Sequence, residues 1–307
     1  MSKLLYLGAL ALLSITIFAS CTKTLDTTKL SDLGGVYSEN REPIDFEKEI
    51  TGSLPEDMST GSKVLTNILS EEDSSKSSLD NKTISWGLKR NPGNKPPSVN
   101  PGTPKLLKKY GGFYIGDTNK KEIYLTFDEG YENGYTSKIL DVLRDNNVKS
   151  VFFITGPYLK ENQDLIRRMV EEGHEVGNHT LNHPSLPEVD DERLEEEILG
   201  LDRVFYERYG KHMTYLRPPK GEFSERTLSI SQKLGYTNLF WSFAYEDWYT
   251  NREKGPEYAK NIVMRNLHNG EIILLHAVSK DNAEALDSII KGARELGYEF
   301  GNINNIY

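Results

Sequence analysis

Ile123-Tyr124-Leu125-Thr126-Phe127-Asp128-Glu129-Gly130-Tyr131 is the stretch that decides the fold. An unbroken apolar, β-type run from Ile123 to Phe127 ends in adjacent carboxylates and then a glycine. Asp128 and Glu129 therefore stand where a strand gives way to a loop, which is where α/β proteins build their sites. Taken alone, the pair would also serve as a solvated cap.

Outward from this strand the pattern alternates. Strands are predicted at 122–127, 150–155, 175–178, 214–217, 237–242, 271–275 and 298–301. Between them lie runs with one apolar face at helical spacing: Ile139, Leu140 and Leu143; then Leu165, Ile166, Met169 and Val170; then Leu194, Ile198, Leu201 and Phe205. Ser224 and Pro256 read as helix starts, and Gly173, Gly210, Gly235, Gly270 and Gly297 as stops. Such alternation implies parallel strands joined by right-handed crossovers. The expected class is α/β, a distorted (β/α) barrel of about seven parallel strands with its active site at the C-terminal strand ends. An open doubly wound sheet fits the same periodicity.

The chain has 307 residues, enough for one sizeable domain with extensions. Its net charge of -9 and the lack of a basic stripe exclude nucleic acid as the main ligand. The aromatics, with 17 Tyr and 3 Trp, suit stacking on sugars and equally suit an ordinary core. Residues 1–21 read as a lipoprotein-type signal peptide: Lys3, an apolar stretch from Leu4 to Phe18, then Ala19, Ser20 and Cys21. Cys21 is the expected lipidation site. An uncleaved anchor is the alternative, although the apolar run is shorter than the roughly 20 residues needed to span. Either way, the remainder is expected outside the cytoplasm, membrane-anchored on the cell-wall side. With no other cysteine, the mature chain must rely on its core rather than on a disulfide. Residues 22–83 are polar and aperiodic, a flexible tether with an end-to-end reach of about 40 Å. The folded domain is expected over 84–307, entered through the turn segments Asn94-Lys95-Pro96-Pro97 and Asn100-Pro101-Gly102.

If the strand ends converge, few polar side chains meet there: Asp128 and Glu129, then His179 and His183, Arg217, Asp247 and His276. His179-x-x-x-His183 has the spacing of a two-histidine metal site, and Pro184 places it on a loop or short turn rather than within a helix. Each residue has a structural alternative: surface histidines, a buried strand-end His276, an Arg217 paired with a surface acid. Pro218-Pro219 holds the Arg217 backbone extended.

Their joint order resembles the polysaccharide deacetylases of carbohydrate esterase family 4, the nodulation-protein-B homology domain. Thr126-Phe127-Asp128-Glu129-Gly130, His179-Thr180-Leu181-Asn182-His183, Arg217-Pro218-Pro219, Asp247-Trp248 and Leu274-Leu275-His276 follow that family's motif order. Residues 84–307 are most similar to the delta-lactam-forming muramic acid deacetylases of spore-forming bacteria, a likeness that implies a sporulation setting. It is carried by Trp86-Gly87-Leu88-Lys89, Tyr131-Glu132-Asn133-Gly134-Tyr135-Thr136, Trp241-Ser242-Phe243-Ala244 and Ser279-Lys280-Asp281-Asn282-Ala283-Glu284-Ala285.

The resemblance implies a metal-dependent N-deacetylase acting as a monomer on peptidoglycan glycan strands, with N-acetylmuramic acid as the sugar. A divalent zinc, cobalt or nickel ion would sit on His179, His183 and Glu129. Asp128 would be the general base, oriented by Arg217, and His276 the general acid, tuned by Asp247. Tyr131, Lys220 and Trp248 would contact substrate, with the backbone N–H near Lys220 at the oxyanion. One departure stands out. Where most of the family has Asp, and the muramic acid deacetylases commonly Asn, this chain has Glu129. The alternatives are a deacetylase of chitin-like or xylan-type polymers, and a catalytically inactive wall-binding lipoprotein.

Overall fold

The structure, a computed structural model, describes residues 79–306. The expected leader, Cys21 and most of the expected tether lie outside the described residues. The chain enters through three short strands, β1 (Ile84–Ser85), β2 (Leu88–Lys89) and β3 (Ser98–Val99), and the helix α1 (Thr103–Lys109). The regular α/β part begins at β4 (Glu122–Glu129). It continues through α2 (Thr136–Asp145), β5 (Val151–Ile154), α3 (Gly156–Glu161), α4 (Gln163–Glu171) and β6 (Glu175–Asn178). After α5 (Asp191–Tyr209) come β7 (Tyr215–Leu216), β8 (Glu222–Phe223), α6 (Glu225–Lys233) and β9 (Thr237–Asn238). The last elements are α7 (Pro256–Met264), β10 (Ile272–His276), α8 (Lys280–Glu295) and β11 (Glu299–Phe300).

All seven predicted strands belong to one seven-stranded sheet ordered β10-β4-β5-β6-β7-β9, with β11 also on β4, and every pairing is parallel. β4 runs through the middle and is buried on both faces, which is why it reads as an apolar run without alternation. The sheet curves until its far edge returns to β10. Beyond β9, Ser242 donates its N–H to the Ile272 carbonyl and Leu274 donates to the Phe243 carbonyl, both at 2.9 Å. That contact makes the sheet a distorted barrel rather than an open doubly wound layer.

Several strands are shorter than predicted, and two of them bear on the site. The run at 214–217 is reduced to β7, because Pro218 and Pro219 have no N–H to continue a ladder. The run at 237–242 pairs with β7 only at its start, then turns to Phe113 and β10. The predicted helix boundaries hold: Ser224 forms a capping box, Pro256 opens α7, and Gly210 closes α5 in the left-handed conformation, which glycine adopts without steric cost.

The tether boundary needs a correction. Residues 79–83, assigned to the flexible tether, already include bonds to the domain. Arg226 donates its N–H to the Asp80 carbonyl at 3.1 Å, and Ser224 Oγ lies 2.8 Å from Asn81 Oδ1. A polar segment carries no apolar signal of docking; these attachments are hydrogen bonds, not buried side chains.

Candidate active site

The site is built at the C-terminal ends of the parallel strands. Register places Asp128 beside His276 of β10 on one side and Phe153 of β5 on the other. Asp128 is buried. Its Oδ1 accepts from Arg217 Nη1 at 2.7 Å, and its Oδ2 lies 3.6 Å from His179 Nε2.

Arg217 is fully buried and its donors are committed. Nη2 donates to Thr126 Oγ1 at 2.9 Å and Nε to the Leu239 carbonyl at 3.1 Å, while the guanidinium lies 4.1 Å from the Phe153 ring centre. Burial alone would raise the Asp128 carboxyl. The charge of Arg217, with the two histidines near it, outweighs burial and holds it below its ordinary range. A carboxylate so held is ready to accept a proton.

His179 and His183 sit on a tight loop after β6, as Pro184 predicts, with ring centres 4.8 Å apart. The loop is strained: Thr180 and His183 have φ values of 68° and 60°. Hydrogen bonds hold it. Thr180 Oγ1 accepts the His183 N–H at 3.0 Å, and Glu197 of α5 accepts from the Asn182 N–H at 2.7 Å and from Asn182 Nδ2 at 3.0 Å. His179 Nδ1 lies 2.8 Å from the Arg217 carbonyl. A carbonyl only accepts, so Nδ1 carries the proton and Nε2 presents a lone pair to the site. Burial lowers both imidazoles, His183 well below its ordinary value, which keeps them neutral. Neutral rings, one oriented by a backbone carbonyl, suit a divalent metal.

The expectation of a third ligand meets a different geometry at Glu129. Neighbours along a strand point to opposite faces, and Glu129 turns away from Asp128 toward α2, where Thr136 Oγ1 lies 3.4 Å from its Oε1. Burial, with the Glu132 carboxylate nearby, raises its carboxyl well above the ordinary range. Among the described residues, no group of three His, Cys, Asp or Glu side chains gathers where it could hold a metal. Two histidine nitrogens thus fit a divalent ion, and the third protein donor expected from Glu129 does not join them.

Beside Asp128 on β10, His276 Nδ1 lies 2.7 Å from Asp247 Oδ1, and the His276 N–H donates to Asp247 Oδ2 at 2.8 Å. Burial alone would lower this imidazole; the adjacent Asp247 carboxylate overrides it and raises the ring above its ordinary value. The Trp248 ring centre is 5.5 Å from that of His276, and its Nε1 is buried with no hydrogen-bond partner. Tyr131 is exposed in the loop after β4. Lys220 is exposed on a turn with φ 59°, followed by Gly221, where a Cβ would meet Trp86 and Trp241 at 2.9 Å. Cys21 lies outside the described residues.

The structure thus brings together Asp128, His179, His183, Arg217, Asp247, Trp248 and His276, and leaves Glu129 out of the cluster. Sequence reasoning missed Glu197, which pins the histidine loop. Its signal was a charged residue on the apolar face of α5, beside Leu194, Ile198 and Leu201.

Comparison with known proteins agrees with this geometry. The polysaccharide deacetylase profile matches residues 115–239. The chain is 44% identical over 74% of its length to the peptidoglycan-N-acetylmuramic acid deacetylase PdaA of Bacillus subtilis (strain 168), covering 87% of that protein. The chain belongs to the polysaccharide deacetylase family. The structure of PdaA, a family 4 carbohydrate esterase, superposes with a TM-score of 0.73, covering 74% of this chain and 98% of that one. A family 4 carbohydrate esterase from Bacillus anthracis, also 44% identical, gives 0.64 over 75% and 98%. An uncharacterized 30.6 kDa protein of Geobacillus stearothermophilus is 49% identical over 74% of this chain and 86% of its own length. These family members place the barrel reading and the deacetylase chemistry on common ground.

Proposed function

We propose that this polysaccharide deacetylase hydrolyses the acetamide of peptidoglycan amino sugars, with N-acetylmuramic acid as the sugar, and releases acetate. The observation that carries the reading is the convergence of a charged-pair base and a charged-pair acid, on adjacent strands, with two neutral histidines beside the base, in a chain 44% identical to a muramic acid deacetylase.

Amide hydrolysis needs an activated water, a stabilised oxyanion and a protonated leaving nitrogen. Asp128 takes the proton of the attacking water, and Arg217 keeps it ionised and oriented. His179 and His183 would hold a divalent zinc, cobalt or nickel ion, which when bound polarises the acetyl carbonyl and acidifies water. His276 enters the reaction protonated through Asp247 and gives that proton to the departing amine. Trp248 walls the acid's side of the cleft. The backbone N–H near Lys220 is offered to the oxyanion, while Tyr131 stands ready to meet the glycan strand. Protonation of the amine as the C–N bond breaks leaves acetate and a free amino sugar.

The proposal extends to place. The leader and Cys21 support a lipid-anchored protein outside the cytoplasm, working as a monomer on the wall from a membrane tether. Glu129 supports a second reading, a glycan-gripping protein without turnover, because the expected third ligand is turned aside. One experiment separates the two. Asp128→Asn should remove acetate release, by about 10²–10⁴-fold, while sparing glycan binding. Unchanged release in that variant would remove Asp128 as the base, and a wild-type protein that binds glycan without releasing acetate under any divalent ion would favour the second reading.

A further inference from the structure

The imidazole of His276 is held by more than its own carboxylate. Asp247 Oδ1 faces His276 Nδ1, and Asp247 Oδ2 takes the His276 N–H. A further donor reaches Oδ2 from the first turn of α8: Asn282 Nδ2 lies 2.6 Å from it and 3.2 Å from the His276 carbonyl. Asn282 is 1% exposed. It makes none of its hydrogen bonds to Asp128, Arg217 or the histidine loop, so it reaches the chemistry only through Asp247 and His276.

The direction of this amide is set from outside. Tyr245 Oη lies 2.5 Å from Asn282 Oδ1. A phenol donates its proton to an acceptor, so the oxygen end of the amide turns to Tyr245 and the NH₂ end must face Asp247. The Asn282 backbone is fixed too, its N–H donating to the N-cap Ser279 Oγ at 3.2 Å. Its neighbour Asp281 accepts the N–H groups of Lys254 and Gly255 at 2.7 and 2.8 Å. The start of α8 is thereby fastened to the segment that carries Asp247.

We propose that Asn282, oriented by Tyr245, is a positioning residue for the general acid: it locks the Asp247 carboxylate so that His276 keeps its proton on Nδ1 and turns Nε2 toward the substrate nitrogen. The inference rests on the role given to His276 above. A carboxylate held by donors on both oxygens cannot rotate away from the ring without losing one of them. Remove the Asn282 donor, and Asp247 Oδ2 keeps only the His276 N–H, so the carboxylate's grip on the ring loosens and the ring gains access to either tautomer. An asparagine that served only the helix start would affect stability and leave the ring untouched.

The test uses Asn282→Ala and Tyr245→Phe in the full-length protein, with acetate release from glycan strands, Tm, and ¹⁵N NMR of histidine-labelled protein. Asn282→Ala should lower kcat by about tenfold to a hundredfold with KM within about twofold. Tyr245→Phe should lower kcat less, and the double variant should be no worse than Asn282→Ala alone, because both act through one chain of bonds. In NMR spectra recorded at a pH high enough for the ring to be neutral, His276 of the wild type should show the proton on Nδ1, and Asn282→Ala an increased share on Nε2. Should Asn282→Ala fail to fold, Tyr245→Phe removes a single oxygen and must show the same kcat and tautomer changes in smaller measure. Unchanged kcat, or a loss confined to KM or Tm with the tautomer intact, overturns the proposal. A wild type that releases no acetate would overturn the deacetylase reading instead, while the tautomer measurement would still report whether Asn282 holds the ring.

Discussion

At the residue scale, the site separates its two titrating roles by environment. Asp128 is lowered because Arg217 outweighs burial, and His276 is raised because Asp247 does. The proposed reaction needs the first ionised and the second protonated. The kcat/KM profile should therefore hold a plateau from below the ordinary aspartate value, about 3.9, to above the ordinary histidine value, about 6.5. Asp247→Asn removes the charge that raises His276, so the alkaline limb should move to lower pH, and a limb that stays in place would deny His276 the acid's role. Glu129 yields a prediction of opposite kind. Its folded-state value is raised, so the folded protein keeps a proton that the unfolded chain loses above about 4.3. Stability should accordingly fall as pH climbs from that value through the folded one. Glu129→Gln should flatten this slope, seen as a smaller drop in Tm between acidic and neutral pH; an unchanged slope would mean that the carboxyl is not held neutral. Most of these residues were legible in the sequence, since Asp128, Arg217 and His276 each stand at the C-terminal end of a strand, and parallel strands bring their ends to one face. The orientation of Glu129 is the point at which structure and expectation differ. Strand alternation already sets it opposite Asp128, and its longer side chain finds Thr136 rather than folding back.

At the element scale, the histidine loop is the part whose shape matters most. Two left-handed non-glycine residues in four positions, Thr180 and His183, cost of order 1–3 kcal/mol each and persist only because their surroundings over-determine them. Glu197 is a principal restraint, holding Asn182 by two bonds and itself paired with Arg193 at 2.6 Å. Glu197→Ala should loosen the loop and weaken divalent-metal binding by about 10–100-fold, as measured by competition with a chelator. Unaltered metal affinity would show that the loop keeps its form without α5. The seven strands and their order of chemistry were readable because an apolar run bounded by turn residues is a strong signal. The shortness of β7 could have been read from Pro218-Pro219, but the departure of the chain beyond β9 could not, since it depends on where barrel curvature lets neighbours pair. Asn282 was equally hard to see. It lies among Ala283, Ala285 and Leu286 on a buried helix face, where one polar residue signals a partner without naming it.

At the scale of the whole molecule, the segment from Leu79 to Asn100 acts as a strap across the barrel. Trp86 anchors it: its backbone N–H donates to the Gly221 carbonyl at 2.8 Å and its Nε1 to the Trp241 carbonyl at 3.1 Å, and its ring packs on Phe240 and Tyr114. Trp241 in turn lies beside the Arg217 guanidinium, 5.6 Å from its ring centre. Trp86→Ala should cost about 3–5 kcal/mol, read from denaturant unfolding, and should also lower activity by disturbing the Lys220 turn. A loss below about 1 kcal/mol would mean that the strap is only draped on the barrel. Everything proposed for the site turns on the reaction itself. Mass analysis of peptidoglycan incubated with the metal-supplemented protein tests it most directly: the account predicts muramic acid residues each lighter by one acetyl group, with matching free acetate. Glycan strands unchanged in mass after incubation with folded protein and each divalent ion in turn would contradict it.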